Sequence, residues 1–382
     1  MAQVRRRLRR TISPVVASCC LVGATGCIGL HHSTPTTTTI VKTPPHLIAL
    51  VTMIGTGTSA GSGTTVDAID LSTNPVKVRS ITVGQFPDAV TITPDHSMAY
   101  VTNYTSGSVT PINLSTGKVG KAIAVGNGPA AIAIAPNGKT AYVTDAGTTP
   151  IGTTVTPVNL KTHKALTPIT VGDGPQGIAI TPDGTTAYVA NAGAVVTGQP
   201  GSIGSTVTPI DLATKKALAP IKVGNAPISI AISGDGSTVF VGNANSLSVS
   251  PIQAGSSTAG VPVPVDGSPQ AIATTSTRAL VAGTSTAGGT LDSIDTGSAT
   301  VSAKVALPKA PTAIAIAPGG AKAWVVASGV NELIPVDLAS NKTIAGAVSL
   351  PGGPYSVALA EIPARHAIAL TSPPVQKNRA KA

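Results

Sequence analysis

Aromatic, cysteine and glutamate residues are scarce in this chain of 382 residues. Because aromatic residues make up only 2% of the sequence, any core must be built mainly from Val, Ile, Ala and Leu. The three cysteines, Cys19, Cys20 and Cys27, lie near the N-terminus, which excludes disulfides and cysteine metal sites within residues 28–382. Glu332 and Glu361 are the only glutamates, and the histidines of the predicted folded region show no ligand spacing. We therefore expect neither a metal nor another cofactor.

The positive charge of the chain is concentrated at its two ends. The formal net charge is +10, but Arg5, Arg6, Arg7, Arg9 and Arg10 supply five of the 25 basic residues, and residues 371–382 supply three more. Residues 28–370 hold the remaining 17 basic residues (25 − 5 − 3) against 15 acidic ones, a balance of +2. Nucleic-acid binding relies on clustered Lys and Arg that contact phosphates, so this balance argues against a nucleic-acid partner.

The N-terminal region has the pattern of a processing signal. Residues 1–27 resemble an export signal, with a basic start, an apolar stretch and then small residues. The tetrapeptide ending at Cys27, ATGC, is similar to a bacterial lipobox, which makes Cys27 the candidate lipidation site and predicts an outward-facing membrane lipoprotein. Secretion without a lipid anchor is the alternative. Residues 28–46 are rich in Thr and Pro and are expected to form a tether, and residues 371–382 a basic disordered tail.

A short apolar start closed by a proline recurs seven times along the chain. The copies begin at Val83, Val125, Val171, Val223, Val265, Leu307 and Leu350, as in VGNGPAAIAI from Val125. Successive starts are 42, 46, 52, 42, 42 and 43 residues apart, which is the period of a four-stranded propeller blade. Val- and Ile-rich runs between Gly, Pro, Asn and Asp turns favour short strands. The sequence therefore predicts an all-β fold, a seven-bladed β-propeller of four-stranded antiparallel blades.

The two ends of the predicted propeller, residues 47–370, are expected to share one blade. Residues 47–52 (LIALVT), 64–71 and 76–83 are interpreted as its second, third and fourth strands, and residues 355–360 as its inner strand. Closing the ring with N- and C-terminal strands removes an exposed sheet edge. Residues 366–371 (HAIALT) also fit a second strand, so either segment can take that place. Eight blades are the alternative to seven.

The predicted second strands carry the most distinctive motif. Residues 100–103 spell YVTN, the signature of the YVTN-repeat β-propellers, which occur in surface-layer proteins and in exported bacterial proteins, and the VG-x-x-P starts match that family as well. The chain resembles this family over about residues 47–370. The resemblance implies a propeller fold. It implies no single function, because related propellers include binding domains, lactonase-like enzymes and oxidoreductase domains.

Polar residues near the predicted strand ends form the candidate site. In propellers of this kind the loops before the inner strand and after the second strand share one face, where a ring of amides and carboxylates suits a sugar, a peptide or a cation. The ring comprises Asn103, Tyr104, Asp145, Asp173, Gln176, Asn191, Asn225, Asn243, Asp266 and Gln270. The alternative interpretation is local: Asn and Asp end strands because they tolerate left-handed backbone and bond their own backbone.

Two enlarged loops distinguish neighbouring repeats. Residues 147–154 and 192–205 follow the second strands of adjacent blades, and we expect ligand contact to concentrate there. These features predict a monomeric binding or scaffold protein of the cell envelope that presents one loop face to a protein or glycan partner. A lactonase-like hydrolytic enzyme with its site in the channel is the alternative. No set of His, Arg and Glu residues recurs at matching blade positions, so no catalytic residue is assigned.

Overall fold

A computed structural model describes residues 43–55, 62–147, 151–193, 203–256 and 258–372. These residues form seven antiparallel sheets, each consecutive along the chain except one that joins both ends. The predicted seven-bladed β-propeller is confirmed, and the alternative of eight blades is not adopted. The export signal, Cys27, residues 28–42 of the tether and residues 373–382 of the tail lie outside the described residues.

The blades are numbered 1 to 7 from the first repeat start, and the strands in chain order. The first three strands are β1 (His46–Met53), β2 (Thr65–Asp70) and β3 (Lys77–Thr82). Blade 1 comprises β4 (Pro87–Ile92), β5 (Met98–Asn103), β6 (Ser108–Asn113) and β7 (Ile123–Ala124). Blade 2 comprises β8 (Pro129–Ile134), β9 (Thr140–Asp145), β10 (Thr154–Asn159), β11 (Lys164–Ala165) and β12 (Ile169–Thr170). Blade 3 comprises β13 (Pro175–Ile180), β14 (Thr186–Gly193), β15 (Ile203–Asp211), β16 (Lys216–Ala217) and β17 (Ile221–Lys222).

The second half of the chain repeats this order. Blade 4 comprises β18 (Pro227–Ile232), β19 (Thr238–Asn243), β20 (Ser248–Gln253) and β21 (Val263–Pro264). Blade 5 comprises β22 (Ser268–Thr274), β23 (Arg278–Ser285), β24 (Gly288–Asp295) and β25 (Val301–Leu307). Blade 6 comprises β26 (Pro311–Ile316), β27 (Lys322–Ala327), β28 (Glu332–Asp337), β29 (Lys342–Thr343) and β30 (Val348–Ser349). The chain continues into β31 (Pro354–Ile362) and α1 (Ala364–Thr371). In blades 2, 3 and 6 the fourth strand is split into two short pieces that pair with the same third strand.

The hydrophobic core lies between the blades. In β9, Ala141 and Val143 pack with blade 1 residues such as Val109, whereas Tyr142 packs with blade 3 residues such as Val189. This alternation follows from the period of two along a strand, and it means that both faces of a central strand are buried. A blade therefore buries its apolar faces only when a neighbour stands on each side, as expected for a repeat fold.

A threonine near the end of three second strands links neighbouring blades. Thr102 Oγ1 accepts the Ala89 N–H at 2.9 Å within blade 1 and donates to the Ala130 carbonyl of blade 2 at 3.2 Å. Thr144 makes the corresponding pair of contacts between blades 2 and 3. Since the hydroxyl both donates and accepts, one side chain fixes the spacing of two inner strands.

Blade 7 joins the two ends of the chain in the order β31-β1-β2-β3. Residues 47–52 therefore take the second-strand position, with β1 beginning at His46, and residues 366–371 belong to α1 instead. Ala367 and Leu370, three residues apart, are buried in the cluster between blades 7 and 1, a spacing that suits a helix. Arg79 Nη1 donates to the carbonyls of Ala369 and Leu370 at 3.3 and 3.2 Å, satisfying the helix C-terminus. No helix within the described residues is long and apolar enough to cross a lipid bilayer.

Candidate functional site

The linkers before the inner strands and the ends of the second strands meet on one face, here called the loop face. The Tyr104 N–H donates to the Phe86 carbonyl at 2.8 Å, and the same bond joins Ala192 to Gly174 and Ala244 to Ala226. Each repeat start is therefore tied to the second-strand end of its own blade. Ten side chains were expected to form a site on this face, and the structure separates them into two groups.

Four of the ten side chains are buried inside the blades. Asn103 is 0% exposed, and its Oδ1 accepts the Gly84 N–H at 2.9 Å. Its Nδ2 donates to Ser108 Oγ at 3.2 Å and to Thr110 Oγ1 at 2.9 Å. The amide thus joins the linker to the third strand, and it faces no solvent.

The equivalent residues in blades 2 to 4 are also buried, and each bonds the third strand of its blade. Asp145 accepts the Gly126 N–H at 3.0 Å and the hydroxyls of Thr154 and Thr156 at 2.8 and 2.7 Å. Burial raises the pKa of this carboxyl, and the three hydrogen bonds work against the rise. Asn191 donates to Thr206 and Thr208, and Asn243 donates to Ser248 and Ser250.

A glycine in the linker matches each of these four side chains. A Cβ placed on Gly84 would lie 2.6 Å from Asn103 Cγ, and Gly126, Gly172 and Gly224 meet Asp145, Asn191 and Asn243 at comparable separations. The glycines are needed because the polar side chain fills the space beside them.

In the remaining three blades, the linker residue and the residue that ends the second strand both differ from this pattern. In blade 5, Gly283 takes the position of Asn103, and Asp292 of the third strand accepts the Asp266 N–H at 3.0 Å instead. In blades 6 and 7, Pro308 and Pro351 stand where Gly84 stands and have no N–H to satisfy. Their second strands accordingly end in apolar residues, Ala327 and Met53. Asn103 and Asp145 thus cap a linker N–H. The buried Oδ1 atoms of Asn191 and Asn243 have no hydrogen-bond partner among the described residues, and these two side chains bond only the third strand.

The other six predicted residues lie on or beside the loop face. Asp173 and Asn225 are exposed in the linkers, and exposed Asp266 forms an ion pair with Lys304 at 2.7 Å. Tyr104 is half-buried against Phe86. Gln176 and Gln270 line the central channel. The enlarged loops expected to carry ligand contacts fall partly outside the described residues, at 148–150 and 194–202.

The central channel contains a cavity of about 340 Å³ lined by the first residues of all seven inner strands. The residue directly after each repeat proline forms a ring at one level of this cavity. In blade order the ring is Asp88, Ala130, Gln176, Ile228, Gln270, Thr312 and Tyr355. The volume lies at the small end of the usual range for ligand pockets, roughly 300–1,000 Å³. The cavity is therefore large enough for a small ligand or for one end of a larger one.

Asp88 is the charged member of this ring. Its carboxyl group is half-buried and receives no hydrogen bond from the described residues. Removal from bulk water raises the pKa of Asp88 to about 8. Tyr355, from the neighbouring blade 7, is close enough that the Asp88 carboxylate is the main cause of a raised phenol pKa, with burial second.

Two further aromatic side chains, Phe86 and Tyr104, lie beside this pair. The rings of Phe86 and Tyr104 are 5.5 Å apart and tilted, and those of Phe86 and Tyr355 are 6.2 Å apart and edge-on. Phe86 adopts a left-handed backbone with φ of 51°. The corresponding residues of five other blades share this conformation but are small: Gly128, Gly174, Ala226, Ala310 and Gly353. A bulky side chain in this strained conformation points to a role beyond the fold.

Sequence reasoning named Tyr104, Gln176 and Gln270 but missed Phe86, Asp88 and Tyr355. The position after the repeat proline was a usable signal, because the proline recurs while its successor changes in every blade except for the two glutamines. Phe86 was also visible as the one large residue before a repeat proline.

Few charged side chains line the channel. Among the described residues that line it, there is no Lys, Arg, His or Glu. Within the described parts of the chain, no group of three His, Cys, Asp or Glu side chains is placed to hold a metal ion. The lining instead offers a carboxyl, a phenol, two carboxamides and the hydroxyls of Ser229, Thr312 and Ser356.

No protein-family model matches the chain, and neither does any curated protein. Solved structures share its fold at low identity. A periplasmic gluconolactonase from Pseudomonas aeruginosa is 16% identical with a TM-score of 0.65, over 83% of this chain and 100% of its own. A putative 6-phosphogluconolactonase from Bacteroides fragilis is 15% identical with a TM-score of 0.65, over 86% and 100%. Hydrazine synthase from Kuenenia stuttgartiensis is 20% identical with a TM-score of 0.62, over 72% and 95%. At such identities the likeness concerns the propeller fold alone.

Proposed function

We propose that this protein is an exported propeller of the cell envelope that binds a glycan at the channel mouth of its loop face. One observation carries the proposal: Phe86, Tyr104 and Tyr355 adjoin a channel whose ring bears Asp88, Gln176 and Gln270. Sugar rings combine an apolar face with hydroxyl groups. Aromatic rings pack against the former, while carboxamides and carboxyls bond the latter.

The size of the cavity limits what enters it. A space of about 340 Å³ admits one or two sugar units, so the bound part is the end of a chain or a single projecting unit. The exposed linkers, with Asp173 and Asn225, would contact the remainder of the glycan.

The proposal is tested by screening the purified protein against a glycan array and measuring the best binder by calorimetry. Tyr355→Ala and Gln176→Ala are expected to weaken binding, about tenfold for the aromatic residue. Lys139→Ala is the matched control, because Lys139 is exposed at a hairpin turn after an inner strand, away from the linkers. Glycan binding that survives both channel variants would refute the assignment.

A lactonase-like hydrolase remains the second candidate, favoured by the fold shared with the gluconolactonase and with the putative 6-phosphogluconolactonase. In that case Asp88 would act as general base toward water, since the pKa of about 8 gives it appropriate basicity. Titration of acid released from glucono-δ-lactone measures the activity. A rate equal to that of buffer removes this candidate, and a faster rate that is unchanged in Asp88→Asn removes Asp88 as its base.

Export is supported by the basic and apolar residues 1–27 and by the periplasmic gluconolactonase with the same fold. A lipid on Cys27 would tether the propeller to the outer face of a membrane. Mass spectrometry of the mature N-terminus tests this, and an unmodified Cys27 or cleavage at another site would contradict it.

A further inference from the structure

The channel mouth contains one acidic side chain with no positive partner. Asp88 is the charged residue of the ring, and no Lys, Arg or His is found among the described residues lining the channel. Its carboxyl group forms no hydrogen bond with the described residues. A buried carboxylate is costly unless it is paired. An aspartate at this position is therefore best explained by a cationic ligand that binds from outside.

The surroundings of Asp88 favour an organic cation as that partner. In the ring of seven, its neighbours are Ala130, which leaves space, and Tyr355, which is 36% exposed. The Phe86 ring packs edge-on against Tyr355, and Tyr104 adds a third ring. Aromatic rings attract cations through their electron-rich faces, and aromatic residues beside a carboxylate suit an ammonium group. A metal ion would need several oxygen ligands around one point, and no group of three His, Cys, Asp or Glu side chains in the described ranges is placed to hold one.

The backbone at Phe86 gives an independent reason to assign these rings to a ligand. A phenyl side chain is held in a left-handed conformation that costs about 1 kcal/mol for a residue other than glycine. Five blades place glycine or alanine at this position, so the fold itself needs no aromatic ring there. The ring lies instead where it extends the aromatic wall beside Asp88.

We propose that the channel mouth binds its glycan through an ammonium group, with Asp88 as counter-ion and with Tyr355 and Phe86 as the aromatic wall. The ligand class is a sugar with a free amine, as in a deacetylated amino sugar. This inference rests on the proposed glycan binding and names the group that is recognised. Gln176, elsewhere on the ring, would donate hydrogen bonds to the sugar hydroxyls and accept bonds from them. Gln270, whose Nε2 donates to Ser268, would accept through its Oε1.

The test compares two ligands that differ in one group. Calorimetry near neutral pH measures binding of a glucosamine trisaccharide and of the matched N-acetylglucosamine trisaccharide, which lacks the charge. The amine form is expected to bind at least about tenfold more tightly. Asp88→Asn should remove this difference while keeping the affinity for the acetylated sugar. Tyr355→Phe keeps the ring and should retain the preference, whereas Tyr355→Ala should lose affinity for both.

A quaternary ammonium probe separates the cation from the sugar. Choline keeps its charge at every pH, so its affinity should rise with pH as Asp88 ionises, and Asp88→Asn should make it independent of pH. Tyr355 is the other titratable side chain that lines the channel among the described residues. Tyr355→Phe should leave the pH profile in place.

The outcomes distinguish the two proposals. Equal binding of both trisaccharides, or an amine preference that survives in Asp88→Asn, overturns the ammonium assignment and leaves glycan binding standing. Choline binding through Asp88 without affinity for either sugar overturns the glycan proposal and supports the ammonium site. Absence of binding by all three probes overturns both.

Discussion

Replacing Asp88 by asparagine is expected to stabilise the free protein as pH rises. The pKa of Asp88 is raised by burial from 3.8 to about 8 in the folded protein. Between these two values the folded state keeps a proton that the unfolded chain has lost. Wild-type stability therefore falls with increasing pH, by about 1.4 kcal/mol per pH unit for one proton. The contribution is fully present below the unfolded pKa and is lost as pH approaches the folded one.

The size of the stability loss follows from this slope. From about pH 5 to pH 7, wild type should lose about 2.7 kcal/mol of unfolding free energy relative to Asp88→Asn. Water in the channel lowers this figure, because Asp88 is only half-buried. Reversible urea unfolding at several pH values measures the difference between the two curves. Other acids, such as Asp67 and Asp145, have raised pKa values as well, and they cancel in that difference.

The control is Asp183→Asn, at an exposed turn. Hydrogen bonds from Thr181 and Thr185 lower the pKa of Asp183 below 3.8, so both folded and unfolded states are ionised over the same pH window. Its curve should run parallel to that of wild type. An Asp88→Asn curve that also runs parallel to wild type would refute the argument that the channel desolvates this carboxyl.

Three further predictions concern the linkers, the aromatic wall and the C-terminal helix. Asn103→Ala should cost about 2 kcal/mol in urea unfolding, because the Gly84 N–H and two hydroxyls lose their partner, and a cost below about 0.5 kcal/mol would contradict the capping role of Asn103. Phe86→Gly should weaken glycan binding in calorimetry while changing stability little, since relief of the left-handed strain offsets the lost ring contacts; a variant that binds like wild type would exclude Phe86 from the site. Truncation after residue 363 should lower the free energy of unfolding by about 2–4 kcal/mol, because the apolar residues that Leu370 covers become exposed. Arg79→Ala should lower it by only about 0.5–1 kcal/mol. Equal effects of the two changes would contradict the packing role of α1.

The repeat made the fold predictable, whereas it obscured the site. Each proline start recurs at a blade period, and the alternation of apolar residues places a strand between two neighbours. The order of the blades and their closure by strands from both ends follow from the sequence, which favours seven blades and leaves eight as an alternative. The choice between residues 47–52 and 366–371 for the closing strand did not follow, because AIAL fits both a strand and a helix at this length. Tertiary packing of Ala367 and Leu370 decided it.

The site residues were harder because one residue type serves two purposes. An Asn that ends a strand looks the same whether it caps a linker or meets a ligand. The distinction depends on what surrounds the side chain in the folded blade. For Asn103 this includes the Gly84 N–H, a relation between residues 19 positions apart that becomes visible only once the strands are paired. Asp88 escaped notice because its pairing with Tyr355 joins residues from two ends of the chain.

The closing blade has a consequence for the order of folding. Most contacts in this propeller join residues within one repeat or the next, but the Ser356 N–H donates to Thr52 Oγ1 across 304 residues of sequence. Such a closure costs more chain entropy than any local hairpin, and contacts of high sequence separation form late. Blade 7 also has Pro351 and Met53 at the positions of the polar cap, so its two halves are joined by strand pairing between β1 and β31 without that extra bond. The pairing of β1 with β31 should accordingly be the last part of the ring to form. Amide hydrogen exchange in these two strands should report the first opening of the native state.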